Sequence, residues 1–396
     1  MSYPPRRRVT VGFSTAATAR WLLAAALLAA AVTACGPSRA PQSLIIAATA
    51  TGNEPEPTLS ADVAQMLRSA GSGSTAATAY VIAPGSGQPT AMTLTPRRPD
   101  GQVDFGPSRG PTLTANVAAV QRAVGQEAAP GPFDLLTTMA EASRAAAPPA
   151  TLILISSGLS TAGGLDLRQV GWDASPQSVA AQLKARGLLP SLAGYHVVFS
   201  GLADVAGRQP ALPLPQRTTL TDYWLAICQA SGASSCTADE MTRPDQPSHS
   251  MIPVPVVPVP AVASVRGPGG IITTSLPDAL LFQFNSATLV PAADSVLAPV
   301  ADQARRQHLR VAITGHASPD GGTSAYNITL SVRRADAVRD RLTALGLPAG
   351  QITQVTGVGT AGEPPNACLT QGHLDEASCA QLRRVVVILS PALVSP

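Results

Sequence analysis

Between Pro253 and Pro260 four prolines are interleaved with valines, as Pro253-Val254-Pro255-Val256-Val257-Pro258-Val259-Pro260. Each proline lacks a backbone N–H and fixes φ, so this run suits neither a helix interior nor the middle of a sheet. The 396-residue chain is therefore divided here, and 241–270 is expected to link two domains, 43–240 and 271–396. Two conformations suit the link. The favoured one is an extended polyproline II form, a semi-rigid spacer rising about 3.1 Å per residue. The other is a docked edge whose valines pack on a neighbour while its prolines block pairing.

Ahead of the link, strand and helix patterns alternate. Ser43 to Ala48 reads as a strand, and Leu59, Val63, Met66, Leu67 and Ala70 repeat at helical spacing behind a Thr58 or Ser60 cap. Ala76 to Ala83 and Thr90 to Thr95 form a hairpin-like pair around Gly85-Ser86-Gly87. Leu113, Val117, Val120 and Val124 predict a helix, followed by another from Phe133 to Ala146 and an apolar strand at Leu152-Ile153-Leu154-Ile155. Helix, strand and helix recur at Gln177 to Arg186, His196 to Ser200 and Thr219 to Ala230. This alternation predicts an α/β domain with a largely parallel sheet covered on both faces.

Beyond the link, Val296, Leu297, Val300, Ala301 and Ala304 recur at helical spacing. So do Leu330, Val338, Leu342 and Leu345, before a helix-ending Gly346. The runs Leu309 to Thr314, Ile352 to Val358 and Val385 to Leu389 are short and β-branched, as buried strands are. They predict a second α/β unit with helices covering one sheet.

The same region carries Gly315-His316-Ala317-Ser318-Pro319-Asp320-Gly321-Gly322, then Tyr326-Asn327, then Leu330-Ser331-Val332-Arg333-Arg334-Ala335. This resembles the C-terminal peptidoglycan-binding domain of OmpA-type proteins, with its GHTD, YN and LSxxRA. Leu281 to Leu289 matches that family's opening strand and turn, and Gly357-Val358-Gly359 with Pro364-Pro365-Asn366 its glycine turn. Arg383-Arg384-Val385 stands at its closing NRRVE.

The resemblance implies an OmpA-like α/β sandwich that grips the free amino-acid end of diaminopimelate in the wall peptide. In the family the GHTD aspartate meets the ammonium and the LSxxRA arginine meets the carboxylate, both through charge-assisted bonds. Arg334 holds the arginine position, and Asn327 and Leu330 match residues that shape the pocket. His316 matches the histidine, but the aspartate position, counted from it, is Ser318. Nine residues separate His316 from Tyr326, one more than in the usual pattern, so Asp320 is the candidate to restore the carboxylate. Otherwise Ser318 offers a neutral hydrogen bond. Arg334→Ala is then expected to release the protein from the wall and leave it folded. In the alternative, Arg334 only pairs with Asp336 or Asp340 on its own helix, for little gain.

The order of elements in the first domain, with Leu152-Ile153-Leu154-Ile155-Ser156-Ser157-Gly158-Leu159-Ser160, resembles a von Willebrand factor A domain. A generic Rossmann-like spacer remains the alternative. The metal site of that family needs Asp-x-Ser-x-Ser after the first strand, where this chain has Ala47-Ala48-Thr49-Ala50-Thr51, and an aspartate where this chain has Ser157. A hard cation wants anionic oxygens, so no metal or other cofactor is expected.

Arg6, Arg7, Arg8 and Arg20 precede a 12-residue apolar run from Trp21 to Val32. That run is too short for a bilayer core of roughly 30 Å and suits a signal peptide. Val32-Thr33-Ala34-Cys35-Gly36 resembles a bacterial lipobox. The resemblance implies a leader over 1–34, a diacylglycerol on Cys35, and a short lipidated tether over 35–42. With about 0.8 kcal/mol per buried methylene, two or three acyl chains anchor stably. A secreted form cut at an A-x-A-like site stays open. The remaining cysteines, Cys228 with Cys236 and Cys368 with Cys379, fall in two close pairs and are expected to form disulfides outside the cytosol.

Subtracting the four leader arginines from the net charge of +3 leaves −1, which is no nucleic-acid footprint. Gly357-Val358-Gly359-Thr360-Ala361-Gly362 spells a dinucleotide motif, but prolines follow where a helix must start. Gly106-Pro107-Ser108-Arg109-Gly110 spells a nucleophile elbow without a strand leading into it. The reading is a non-enzyme, lipid-anchored in the cell membrane or outer membrane, facing the wall or periplasm and tethering membrane to peptidoglycan. The alternative is an adaptor whose first domain recruits an envelope protein.

Overall fold

A computed structural model describes residues 42–82, 88–127, 133–239, 247–248, 254–319, 324–364, 366–370 and 373–392. The leader, Cys35, the Gly85-Ser86-Gly87 turn and Asp320 lie outside the described residues. The first sheet takes its strands from β1 (Gln42–Ala48), β2 (Ala77–Ile82), β3 (Thr90–Thr93), β4 (Ala150–Ile155), β5 (Tyr195–Ser200) and β6 (Ser235–Ala238). Their order is β3-β2-β1-β4-β5-β6, parallel throughout except for β3.

Successive side chains of the central strands enter opposite layers, as pleating requires. Ile45, Ala47, Leu152, Leu154, Val197 and Phe199 join one buried cluster; Leu44, Ile46, Ala48, Ile153, Ile155 and Val198 join another. Helices α1 (Ala61–Gly71) and α2 (Arg109–Glu127) cover the second cluster. The first cluster is covered by α3 (Leu135–Ala142), the short α4 (Leu167–Val170), α5 (Pro176–Ala185) and α6 (Leu214–Ala230). Ser60 caps α1 by accepting from the Val63 N–H at 3.0 Å, so of the two expected caps the serine forms.

The second sheet has β7 (Ala263–Arg266), β8 (Ile272–Pro277), β9 (Arg310–Gly315), β10 (Ile352–Gly357) and β13 (Arg384–Ser390), in the order β10-β9-β13-β8-β7. Only β10 and β9 run parallel. Helices α7 (Asp294–Arg306) and α8 (Ser324–Ala344) lie on one face. Every second residue of β13, Val385, Val387 and Leu389, is fully buried there. Each such side chain contributes about 1.5–3 kcal/mol relative to exposure. A two-residue hairpin, β11 (Leu369–Thr370) with β12 (His373–Leu374), and α9 (Glu376–Leu382) lead into β13.

Both expected disulfides form, Cys228–Cys236 at the end of α6 and Cys368–Cys379 ahead of β13. Two expectations change. Leu281 to Leu289 is no strand: the opening strand is β8, and Leu281 to Leu289 is a loop closed by a bridge between Phe282 and Leu289. The Pro-Val run takes the docked form from residue 254 on. Val257 is buried in the first sheet's apolar cluster and exchanges two backbone bonds with the Gln209 amide, at 2.8 and 3.0 Å. Its prolines allow no ladder, so a side-chain amide pairs with the backbone instead. Pro258 O accepts from the Trp172 indole at 2.7 Å, which fixes the residue before Asp173. Strand β7 lies within the expected link and belongs to the second sheet.

Among the described residues, no helix is long and apolar enough to cross a membrane.

Candidate functional site

Two glycines set where α8 sits. A Cβ on Gly315 would come within 2.1 Å of Ser331 O, and one on Gly357 within 2.1 Å of Val332 N, so the helix backbone rests directly on the ends of β9 and β10. The Ser331 hydroxyl accepts from the Gly359 N–H at 2.9 Å and locks that contact. Gly357 and Gly359 of the apparent dinucleotide motif thus serve helix–sheet packing.

With α8 so placed, Asn327, Leu330 and Arg334, spaced by three and four residues, all line one cleft of about 520 Å³. Ser318, in the loop after β9, lines it too. Its carbonyl accepts from the Asn327 amide at 3.2 Å. His316 lies apart from the cleft, with Nδ1 3.6 Å from the Glu363 carboxylate. Burial and the nearby Arg384 push its pKa below the ordinary value, against the pull of Glu363.

Arg334 does not pair within its own helix. Asp336 and Asp340 are bonded to Arg339, whereas Arg334 is 5 % exposed and its Nη1 donates to Oδ2 of the buried Asp278. Its Nε donates to Ser286 O at 2.9 Å, and its guanidinium lies 5.2 Å from the centre of the Phe282 ring. Nη2 has no hydrogen-bond partner among the described residues. A guanidinium fixed on two sides with one nitrogen left over keeps a charged donor in a set orientation.

Asp278 was not legible as a site residue. Burial pushes its carboxyl up to about 7, with Arg334 beside it pulling the other way and Asp173 adding to the rise. Since this folded value lies above the ordinary 3.8, the group's contribution to stability is full below 3.8 and is lost as pH rises through about 7. His316, with its lowered value, acts in the opposite sense. Denaturation midpoints at pH 5 and pH 8 are therefore expected to show a smaller alkaline loss, or a net gain, in Asp278→Asn relative to the native chain. An equal pH response in both proteins would rule out the assignment.

The cleft's other wall comes from the elements around the first sheet. Asp173, Gln169, Gln182 and Arg186 line it, and α9 packs against α4 beside it. Arg383 spans the two walls: Nε and Nη2 donate to Asp173 Oδ2 at 3.0 and 2.6 Å, and Nη1 lies 3.3 Å from the Ser318 hydroxyl.

The sequence pattern of the OmpA family matches residues 281–371. The chain is similar to the peptidoglycan-associated lipoprotein of Pasteurella multocida strain Pm70, 42% identical over 78 residues, which are 20% of this chain and 47% of that protein. It is also similar to the peptidoglycan-associated lipoprotein of Agrobacterium fabrum, 31% identical over 122 residues, 30% of this chain and 64% of that protein. The chain thus spans less than two thirds of either relative. Among solved structures, the peptidoglycan-associated lipoprotein from Burkholderia pseudomallei is 31% identical and covers 29% of this chain and 89% of that chain, with a TM-score of 0.24.

Proposed function

Because residues 281–371 belong to the OmpA family, we propose that this chain is a lipid-anchored cell-envelope protein that binds peptidoglycan non-covalently and ties membrane to wall. Relatives named peptidoglycan-associated lipoproteins support the envelope role. The leader over 1–34 and the lipobox-like sequence around Cys35 support the lipid. The ligand is the free amino-acid end of diaminopimelate, and the observation that carries this is Arg334, held by Asp278 and Ser286 and lining a cleft shared with Asn327, Ser318 and Leu330. We read the first domain as von Willebrand factor A-like, which the strand order with a single antiparallel β3 supports.

Sedimentation of the full chain, in detergent, with purified diaminopimelate-type peptidoglycan tests the reading. Arg334→Lys keeps the charge opposite Asp278 but lacks the planar fork, so apparent affinity is expected to fall by about tenfold or more while the chain stays folded. Equal sedimentation of both proteins would remove Arg334 from the site. No sedimentation of the native chain would favour the adaptor, in which the first domain recruits a protein.

A further inference from the structure

We infer that the cleft is a two-domain binding site in which Asp173, from the first domain, takes the ligand's ammonium while Arg334, from the second, takes its carboxylate. The inference rests on the peptidoglycan reading above and names the group that completes its pocket.

A free amino-acid end carries both charges on one carbon, so a cavity that recognises it needs an anion and a cation in the same small space. The second domain supplies the cation but has Ser318 where the expected carboxylate is absent. Asp173 stands beside that place, because one guanidinium, that of Arg383, reaches Asp173 Oδ2 at 2.6 Å and the Ser318 hydroxyl at 3.3 Å. Both Arg383 bonds to Asp173 fall on Oδ2, and Oδ1 has no hydrogen-bond partner among the described residues. The carboxylate is positioned in advance: Arg383 holds it on one side, and the Trp172 indole bonded to Pro258 O holds the backbone next to it. With 16% of its side chain exposed, it is desolvated enough for a charged bond to outweigh what a surface pair contributes. The space of about 520 Å³ falls within the usual range for small-ligand sites, roughly 300–1,000 Å³. Asp278 does not fill this role, because its Oδ2 is taken by Arg334 and its Oδ1 is fully buried.

The probe is a diaminopimelate-containing stem peptide, offered with its free amine and with that amine acetylated, titrated into the full chain in detergent. The native chain is expected to prefer the free amine by about tenfold or more. Asp173→Asn should collapse that preference towards unity with little change in affinity for the acetylated peptide, and Asp173→Glu should restore part of it. A preference kept in Asp173→Asn would overturn the inference, as would a preference lost in Asp320→Ala instead. Equal loss of affinity for both peptides in Asp173→Asn would make Asp173 a clamp between domains and overturn it too. If the native chain binds neither peptide, the peptidoglycan reading fails first and the inference with it.

Discussion

Arg334→Ala is expected to cost about 3–5 kcal/mol of stability, because it leaves the Asp278 carboxylate buried with no opposite charge. The two side chains are 6% and 3% exposed, so the pair is largely withdrawn from water. The loss should be smaller at pH 5 than at pH 8, since a carboxyl already raised to about 7 protonates readily once its cation is gone. This changes the expectation that alanine would release the protein from the wall and leave it folded. A binding defect in that variant would mix two causes. The double variant Arg334→Leu with Asp278→Leu separates them. Replacing a buried ion pair by apolar groups is often neutral or stabilising, so urea denaturation should show most of the lost stability recovered. Sedimentation with peptidoglycan should stay lost. Recovery of both would mean that Arg334 holds the fold and nothing else, and a single variant within about 1 kcal/mol of native would mean the pair matters little.

The sheets were legible because their apolar residues have a period that local sequence expresses. Leu44 to Ala48 and Leu152 to Ile155 are apolar on both faces and lie between two layers, whereas β13 alternates and lies under one. Among the strands that escaped notice, Ser235–Ala238 and Ala263–Arg266 are four-residue edges with half-exposed or exposed side chains, so burial leaves little mark on their composition, while Ile272–Pro277 alternates buried with more exposed residues but has only threonine and serine at its centre. The site divides similarly. Arg334, Asn327 and Ser318 could be found by motif. Asp173 could not, because it meets Arg383 across 210 residues and nothing around Gly171-Trp172-Asp173 distinguishes it from a surface acid. Asp278 precedes the matched segment and opens a short 3-10 turn, where an acid in the first turn is ordinary and marks no site. The Pro-Val run shows the limit of a local rule. Proline correctly forbade pairing, but whether its valines pack on a domain depends on a groove that Gln209 and Trp172 provide from elsewhere.

The end of β1 holds the other residue whose loss should matter most. Expected hydroxyls are there, but a carboxylate from Glu54 lies among them, 1 % exposed. Thr49 Oγ1, Ser156 Oγ, Ser157 N and Ser157 Oγ all stand within 3.2 Å of its Oε1, and the Thr51 N–H donates to Oε2 at 3.0 Å. One internal anion thus satisfies donors from the ends of two central strands, β1 and β4. Glu54→Ala strands those donors and is expected to cost about 3 kcal/mol, the sum of several partly rehydrated groups at roughly 1 kcal/mol each. Glu54→Gln keeps the shape but turns an amide N–H₂ towards at least one donor, so about 1–2 kcal/mol is expected. Trp224 reports the change, since its buried indole donates to Gly158 O at 2.9 Å, one residue beyond Ser157. Its fluorescence should follow the lowered midpoint. Magnesium or calcium should not restore stability to Glu54→Ala, because the remaining hydroxyls carry no anionic oxygen for a hard cation. Recovery with either ion would show that the hydroxyls themselves form a cation site and that Glu54 only stands in for the ion's other ligands.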